Sequence, residues 1–148
     1  GGNVVSAVRF GKKVHSPVIS EAEADVLLSF EPMEALRNIR FANPEGIVIT
    51  STRTLPPSTV TTVQDKSPQD IRERLEAAIP RIKFVDAMDL AVKAGTVKAV
   101  NIVLLGALSN YLDFSEQDWD KAIEKWVPAK FLEVNKKAFA LGREAAAK

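Results

Sequence analysis

The stretch "ADVLLSFEPMEALRNIRFANPEGIVITST", residues 24–52, decides the fold. Its two apolar runs, "ADVLLSF" and "GIVITST", are typical of short strands buried in a sheet. Between them, "EPMEALRNIRF" places Met33, Leu36 and Ile39 on one face of a helix, and "NPEG" is typical of a turn. A strand, a helix and a second strand in succession predict a right-handed βαβ unit with parallel strands.

The same alternation continues after residue 52. A loop rich in Pro, Ser and Thr follows, in which "TVTTV" could form a short edge strand. Ser67 and Pro68 are typical of a helix start, and an apolar stripe follows them at Ile71, Leu75, Ala78 and Ile79. "IKFVDA" then predicts a third strand, and "MDLAVKAG" predicts a short helix ended by its glycine.

The last third of the chain has helical patterns only. "TVKAVNIVLLGALSNYL" is apolar nearly all the way round, which predicts a buried helix whose Gly106 lets another backbone approach closely. Ser115 and Asp118 are typical of a capped helix start, after which Trp119 and Trp126 share one face. Two tryptophans in this spacing favour core packing, or a contact with another subunit or a second copy of the chain, over a cofactor site. A final amphipathic helix carries Phe131, Val134, Ala138 and Leu141.

The start of the chain has the pattern of a β-hairpin. Two β-rich runs, Val4–Phe10 and Val14–Ile19, flank the permissive Gly11, and Pro17 belongs at an edge or a strand end. The sequence therefore predicts an α/β fold in three layers. It has a mostly parallel sheet, an antiparallel hairpin near the start and a helical C-terminal third.

Composition excludes several functional classes. The 148 residues have the length of a single domain, and 20 basic residues against 19 acidic ones give no basic excess for nucleic acid or a membrane surface. The longest nearly apolar run is too short to span a bilayer. There is no cysteine, so the chain has no disulfide and supplies no thiolate for an iron–sulfur cluster, in keeping with a cytoplasmic location.

No familiar catalytic motif is present, and we predict neither a catalytic residue nor a metal site. The single histidine, His15, is beside Ser16, but neighbouring strand residues point to opposite faces, so an exposed structural role is favoured. Three residues after predicted strands are candidates for cofactor or ligand contacts: Glu31, Thr52 and Arg53. Glu31 also suits a helix start. The similar position of Asp86 favours a helix cap.

Short motifs spread over nearly the whole chain resemble, in the right order, the gamma domain of the 2-oxoacid:ferredoxin oxidoreductases. The similarity is greatest to the small (beta) subunit of the indolepyruvate enzymes. That family opens with "GG-S-VVS-VR-G" and "SP-I", continues with "EAD-LL-FEP-EALR", "VDA--LA---G" and "N---LGAL", and closes with "N--AF--G". The matching residues are Gly1-Gly2, Val4-Val5-Ser6, Val8-Arg9, Ser16-Pro17, Ala24-Asp25, Leu27-Leu28, Phe30-Glu31-Pro32, Glu34-Ala35-Leu36, Val85-Asp86-Ala87, Leu90-Ala91, Asn101, Leu105-Gly106-Ala107-Leu108, Asn135, Ala138-Phe139 and Gly142.

The resemblance implies a role within a complex. These enzymes oxidatively decarboxylate a 2-oxoacid on thiamine diphosphate, form an acyl-coenzyme A, and pass electrons through iron–sulfur clusters to ferredoxin. The cofactors do the difficult chemistry and are held mainly by other domains or subunits. The resemblance therefore implies a mainly structural subunit that binds no cofactor alone and is inactive without a larger catalytic subunit. Pyruvate and 2-oxoglutarate enzymes share the domain, so the particular oxoacid stays open.

The family's domain has a strand and a glycine-rich loop before "GG", so residues 1–148 are expected to be a single gamma-type domain truncated at its N-terminus. Two alternatives also remain: a stand-alone α/β module that binds a nucleotide or acyl group, and a purely structural interaction domain.

Overall fold

The computed structural model describes residues 4–53 and 68–147. Its three strands form one parallel sheet in the order β1 (Ala24–Ser29), β2 (Ala42–Ser51) and β3 (Ile82–Val85). These are the three strands that the apolar runs predict, and the parallel direction is confirmed. The helices alternate with the strands and then follow them: α1 (Pro32–Asn38), α2 (Pro68–Ala78), α3 (Ala87–Ala94), α4 (Val100–Ser109), α5 (Glu116–Trp126) and α6 (Leu132–Ala145).

The sheet is the middle of three layers. Side chains alternate along β2, so Val48 packs with α1 and α2 on one face, while Ile47 and Ile49 pack with α3, α4 and α6 on the other. Both β2 faces are apolar because both are covered, which is why this strand reads as a continuous apolar run. The predicted three-layer arrangement with a helical C-terminal part is confirmed.

Helices α4 and α6 cross unusually closely. A Cβ atom added to Gly106 on α4 would lie 2.0 Å from the Phe139 carbonyl oxygen, and one added to Gly142 on α6 would lie 1.9 Å from the Val103 carbonyl oxygen. The two helices therefore touch backbone to backbone, with one glycine from each at the contact. The expectation that Gly106 admits another backbone is confirmed.

The predicted hairpin was wrong. Residues 4–23 contain no strand, and their side chains are almost all exposed. A two-stranded hairpin has little stability unless one face is buried, and here no layer covers this segment. Side-chain contacts hold it instead: Arg9 pairs with Glu23 at 2.7 Å, and the Phe10 ring lies 5.5 Å from the Phe114 ring.

The "NPEG" turn forms inside a strand rather than between two elements. Residues 43–46 belong to β2, and the β1–β2 register shifts there, because Ala24 pairs with Ala42 while Val26 already pairs with Ile47. Asn43 Oδ1 accepts a hydrogen bond from the Glu45 N–H at 2.9 Å, which makes the local turn. The predicted turn is thus a bulge.

Helix α2 follows the predicted apolar stripe at three of its four positions. Ile71, Leu75 and Ile79 are buried as the stripe predicts, but Ala78, the last residue of α2, is exposed. The predicted cap at Ser67 and the possible edge strand "TVTTV" lie outside the described residues.

Candidate functional site

The ends of the three strands lie together at one edge of the sheet. Ser29 pairs with Thr50, and Ser51 pairs with Val85, so the residues that follow each pair leave the sheet side by side. We call residues 29–31, 50–53 and 85–86 the carboxyl edge. In parallel α/β sheets this edge is where ligands commonly bind. All three candidate residues, and Asp86, lie on it.

Glu31 and Pro32 form the turn from β1 into α1. Glu31 is the N-cap residue, with extended backbone (φ −142°, ψ 140°), and its side chain makes no capping hydrogen bond. Pro32 follows at the start of the helix and is buried. The Ser29 hydroxyl donates to the Glu31 carbonyl oxygen at 2.7 Å and accepts from the Glu31 N–H at 3.3 Å. The serine side chain therefore holds the turn, and the expected helix-start role of Pro32 is confirmed.

Thr52 and Arg53 are exposed beyond the end of β2. The Thr52 N–H donates to the Val85 carbonyl oxygen at 3.0 Å, and the Arg53 N–H donates to the Ser51 hydroxyl at 3.2 Å. These bonds fix the backbone of both residues and leave their side chains at the surface. Their role in binding a ligand stays a prediction.

Asp86 caps the next helix, as predicted. Its Oδ1 atom accepts a hydrogen bond from the Asp89 N–H at 3.1 Å, at the start of α3. Such a cap contributes about 1 kcal/mol of stability. The carboxylate is therefore engaged in helix structure.

His15 and Ser16 are not hydrogen-bonded to each other. His15 is exposed, and the Ser16 hydroxyl accepts a hydrogen bond from the Val18 N–H at 3.1 Å. Both residues lie in the N-terminal segment, and the serine closes a local turn. The expected exposure of His15 is confirmed, although it lies on no strand.

The two tryptophans of α5 have different environments. Trp119 is half-buried, and its ring centroid lies 5.7 Å from that of Phe114 and 5.6 Å from that of Phe139. Trp126 is 78% exposed, with the Lys125 ammonium 5.3 Å from its ring centroid. Trp119 is therefore part of the fold, whereas Trp126 is open to contact by another molecule.

A depression lies at the opposite edge of the sheet, where the strands begin, and no sequence pattern predicts it. It encloses about 270 Å³, and its lining includes Glu45, Arg81 and Tyr111. Arg81 Nη1 donates to the Glu45 carbonyl oxygen at 2.8 Å, and the Tyr111 hydroxyl donates to the Ala146 carbonyl oxygen at 3.2 Å. Burial raises the pKa of Tyr111, and nearby Arg81 partly opposes that rise. These polar groups bond to backbone carbonyls, which is the pattern of structural bracing.

The next feature is the distribution of metal-ligating side chains among the described residues. Across residues 4–53 and 68–147, no three His, Asp or Glu side chains are grouped so as to hold a metal ion, and the sequence has no cysteine for an iron–sulfur cluster. Within the same ranges, no helix is both long and apolar enough to cross a membrane.

The fold and the carboxyl edge together define an α/β domain built from successive βαβ units, with a helical layer added after the sheet. The sequence profile of one family, described as pyruvate ferredoxin/flavodoxin oxidoreductase, matches residues 1–145. The chain belongs to this family, and the resemblance noted in its motifs is confirmed.

Characterised relatives agree with this assignment. Indolepyruvate oxidoreductase subunit IorB of Thermococcus kodakarensis is 39% identical over 98% of this chain and 74% of the relative. The protein of the same name from Pyrococcus horikoshii is 40% identical, again over 98% of this chain and 74% of the relative. A crystal structure of the gamma subunit of a keto/oxoacid ferredoxin oxidoreductase from Geobacter sulfurreducens aligns with a TM-score of 0.63. That alignment covers 87% of this chain and 68% of the other at 23% identity, and it supports the fold.

Proposed function

We propose that this chain is the small subunit of an indolepyruvate ferredoxin oxidoreductase. The observation that carries the proposal is the 38–40% identity to three archaeal indolepyruvate oxidoreductase IorB subunits, which runs through at least 96% of this chain. The complex decarboxylates a 2-oxoacid oxidatively to an acyl-coenzyme A and passes the electrons to ferredoxin. Among 2-oxoacids, indolepyruvate is favoured by the names of these relatives.

Within the complex, the role of this chain is assembly. Thiamine diphosphate and the iron–sulfur clusters supply the redox chemistry from a larger partner subunit, in keeping with a small chain that has no cysteine. The hydrogen bonds at the carboxyl edge also support an assembly role for this chain, because the hydroxyls of Ser29 and Ser51 are bound to backbone groups of their own turns. Residues 1–148 act as one gamma-type domain of a cytoplasmic enzyme.

Co-expression tests the proposal directly. The chain is produced in its full form with and without the large subunit from the same organism. Reduction of ferredoxin is then measured with coenzyme A and indolepyruvate, pyruvate or 2-oxoglutarate. We expect a stable complex that is active with indolepyruvate, and no activity from either subunit alone. A chain that stays apart from the large subunit and instead retains a nucleotide or acyl group would replace the proposal with the stand-alone binding module.

A further inference from the structure

The N-terminal segment exposes an unusual amount of apolar surface. Residues 4–18, which we call the arm, carry six large apolar side chains that are between 43% and 86% exposed: Val4, Val5, Val8, Phe10, Val14 and Val18. A scattered exposed valine needs no explanation, but five valines and one phenylalanine exposed within fifteen residues concentrate apolar surface in one segment. Such a surface is typical of a protein contact.

The backbone of the arm is equally open. In residues 4–15, no N–H or carbonyl group makes a hydrogen bond to the backbone of another described residue. Backbone polar groups of a folded chain are normally paired with protein or water. The arm therefore offers both apolar side chains and free backbone groups to another molecule.

Two contacts anchor the arm to the body of the protein. Arg9 Nη2 donates to Glu23 Oε2 at 2.7 Å, and the same oxygen accepts from the Ser20 N–H at 3.1 Å. The Phe10 ring lies 5.5 Å from the Phe114 ring, next to the α5 helix start. These anchors set the position of residues 9–10 while the valines on either side point away from the body, as their exposure shows. Part of the ordering cost of binding is thus met before a partner arrives.

The charges of the arm indicate what kind of surface it fits. The arm has three basic residues, Arg9, Lys12 and Lys13, and no acidic residue. Arg9 is paired with Glu23, whereas both lysines are exposed and form no ion pair with a described residue. The complementary surface is apolar and bordered by carboxylates. A symmetric contact of one arm against the arm of a second copy would bring like charges together, which is unfavourable.

We propose that the arm is a docking element for a different protein chain, whose surface is apolar with an acidic border. This inference rests on the proposed function, which identifies the partner chain as the larger subunit of the oxidoreductase. The interaction is hydrophobic at the valines and electrostatic at Lys12 and Lys13.

Binding of the purified large subunit to the full chain tests the arm. Val8→Asp should weaken the association about tenfold or more, because it places a charge in a buried contact. Val92→Asp is the matched control, since Val92 is 56% exposed and belongs to α3 rather than to the arm, and it should change the affinity less than twofold. Replacing both lysines with glutamate should weaken binding and reduce its salt dependence.

Cross-linking identifies the molecule that contacts the arm when the rest of the chain is unaltered. A photoreactive residue at position 5 should cross-link to the large subunit. A product with a second copy, or within the same chain, would overturn the inference. Equal affinity of Val8→Asp and Val92→Asp would also overturn it while leaving the proposed function intact. Failure of the unaltered chain to bind the large subunit would instead refute the proposed function, and the docking inference with it.

Discussion

The close crossing of α4 and α6 leads to a quantitative prediction for Gly106→Ala. A Cβ atom at this position would lie 2.0 Å from the Phe139 carbonyl oxygen, against a limit of 3.0 Å below which such contacts are essentially never seen. The obstructing atom belongs to the backbone, so no side-chain rotation relieves the clash. The two helices must separate by about 1 Å, which disturbs the packing along both.

The net effect is a competition between two opposing terms. Overpacking costs typically about 1–3 kcal/mol, and a backbone clash belongs at the upper end of that range. Alanine in a helix interior gains about 1 kcal/mol over glycine. We therefore expect Gly106→Ala to lower the free energy of unfolding by about 2 kcal/mol. For a chain of this size, that corresponds to a fall in Tm of about 4–8 °C.

Thermal and urea unfolding followed by circular dichroism measure this loss. Gly11→Ala is the control, because nothing lies within 4 Å of an added Cβ atom there, and its Tm should stay the same or rise slightly. Gly142→Ala should resemble Gly106→Ala, since its Cβ atom would lie 1.9 Å from the Val103 carbonyl oxygen. The double variant should lose less than the sum, because one helix separation relieves both clashes. An increase in Tm for Gly106→Ala would refute the reasoning.

Three further predictions concern the surface. Glu31→Gln should lower the free energy of unfolding by about 0.3–1 kcal/mol, because a charge at the start of α1 is lost. The Michaelis constants of the complex should not change. A tenfold rise in a Michaelis constant at equal stability would place Glu31 in the binding site. Trp126→Ala should leave Tm nearly unchanged because the side chain is 78% exposed. Analytical ultracentrifugation of the complex then tests the predicted subunit contact. A large fall in Tm would contradict the exposed position. The Ser20 N–H and the Arg9 guanidinium lower the pKa of Glu23, so their stabilising effect is present above the ordinary pKa of a glutamate and is lost as pH falls through the lowered value. Carboxyl NMR titration should show this lowered midpoint, and Arg9→Gln should raise it; an unchanged midpoint would contradict the pairing.

Much of the carboxyl edge was predictable because its residues are fixed by local rules. Pro32 starts α1 and Asp86 caps α3, since these residue types are favoured at a helix start by local backbone chemistry alone. The depression at the opposite edge was not predictable. Its lining comes from several separate segments, including Glu45, Arg81 and Tyr111, and no local pattern connects them.

The sequence by itself determined the three parallel strands, the alternation with helices and the buried character of α4. Each of these depends on side-chain periodicity and on capping residues close together in the chain. Only the tertiary structure decided that Val4–Ile19 forms no hairpin, because β-rich runs become strands only where another layer covers them. It also decided the difference between Trp119 and Trp126. The two share a helix face, but Phe139 of α6 packs against Trp119, whereas Trp126 is 78% exposed.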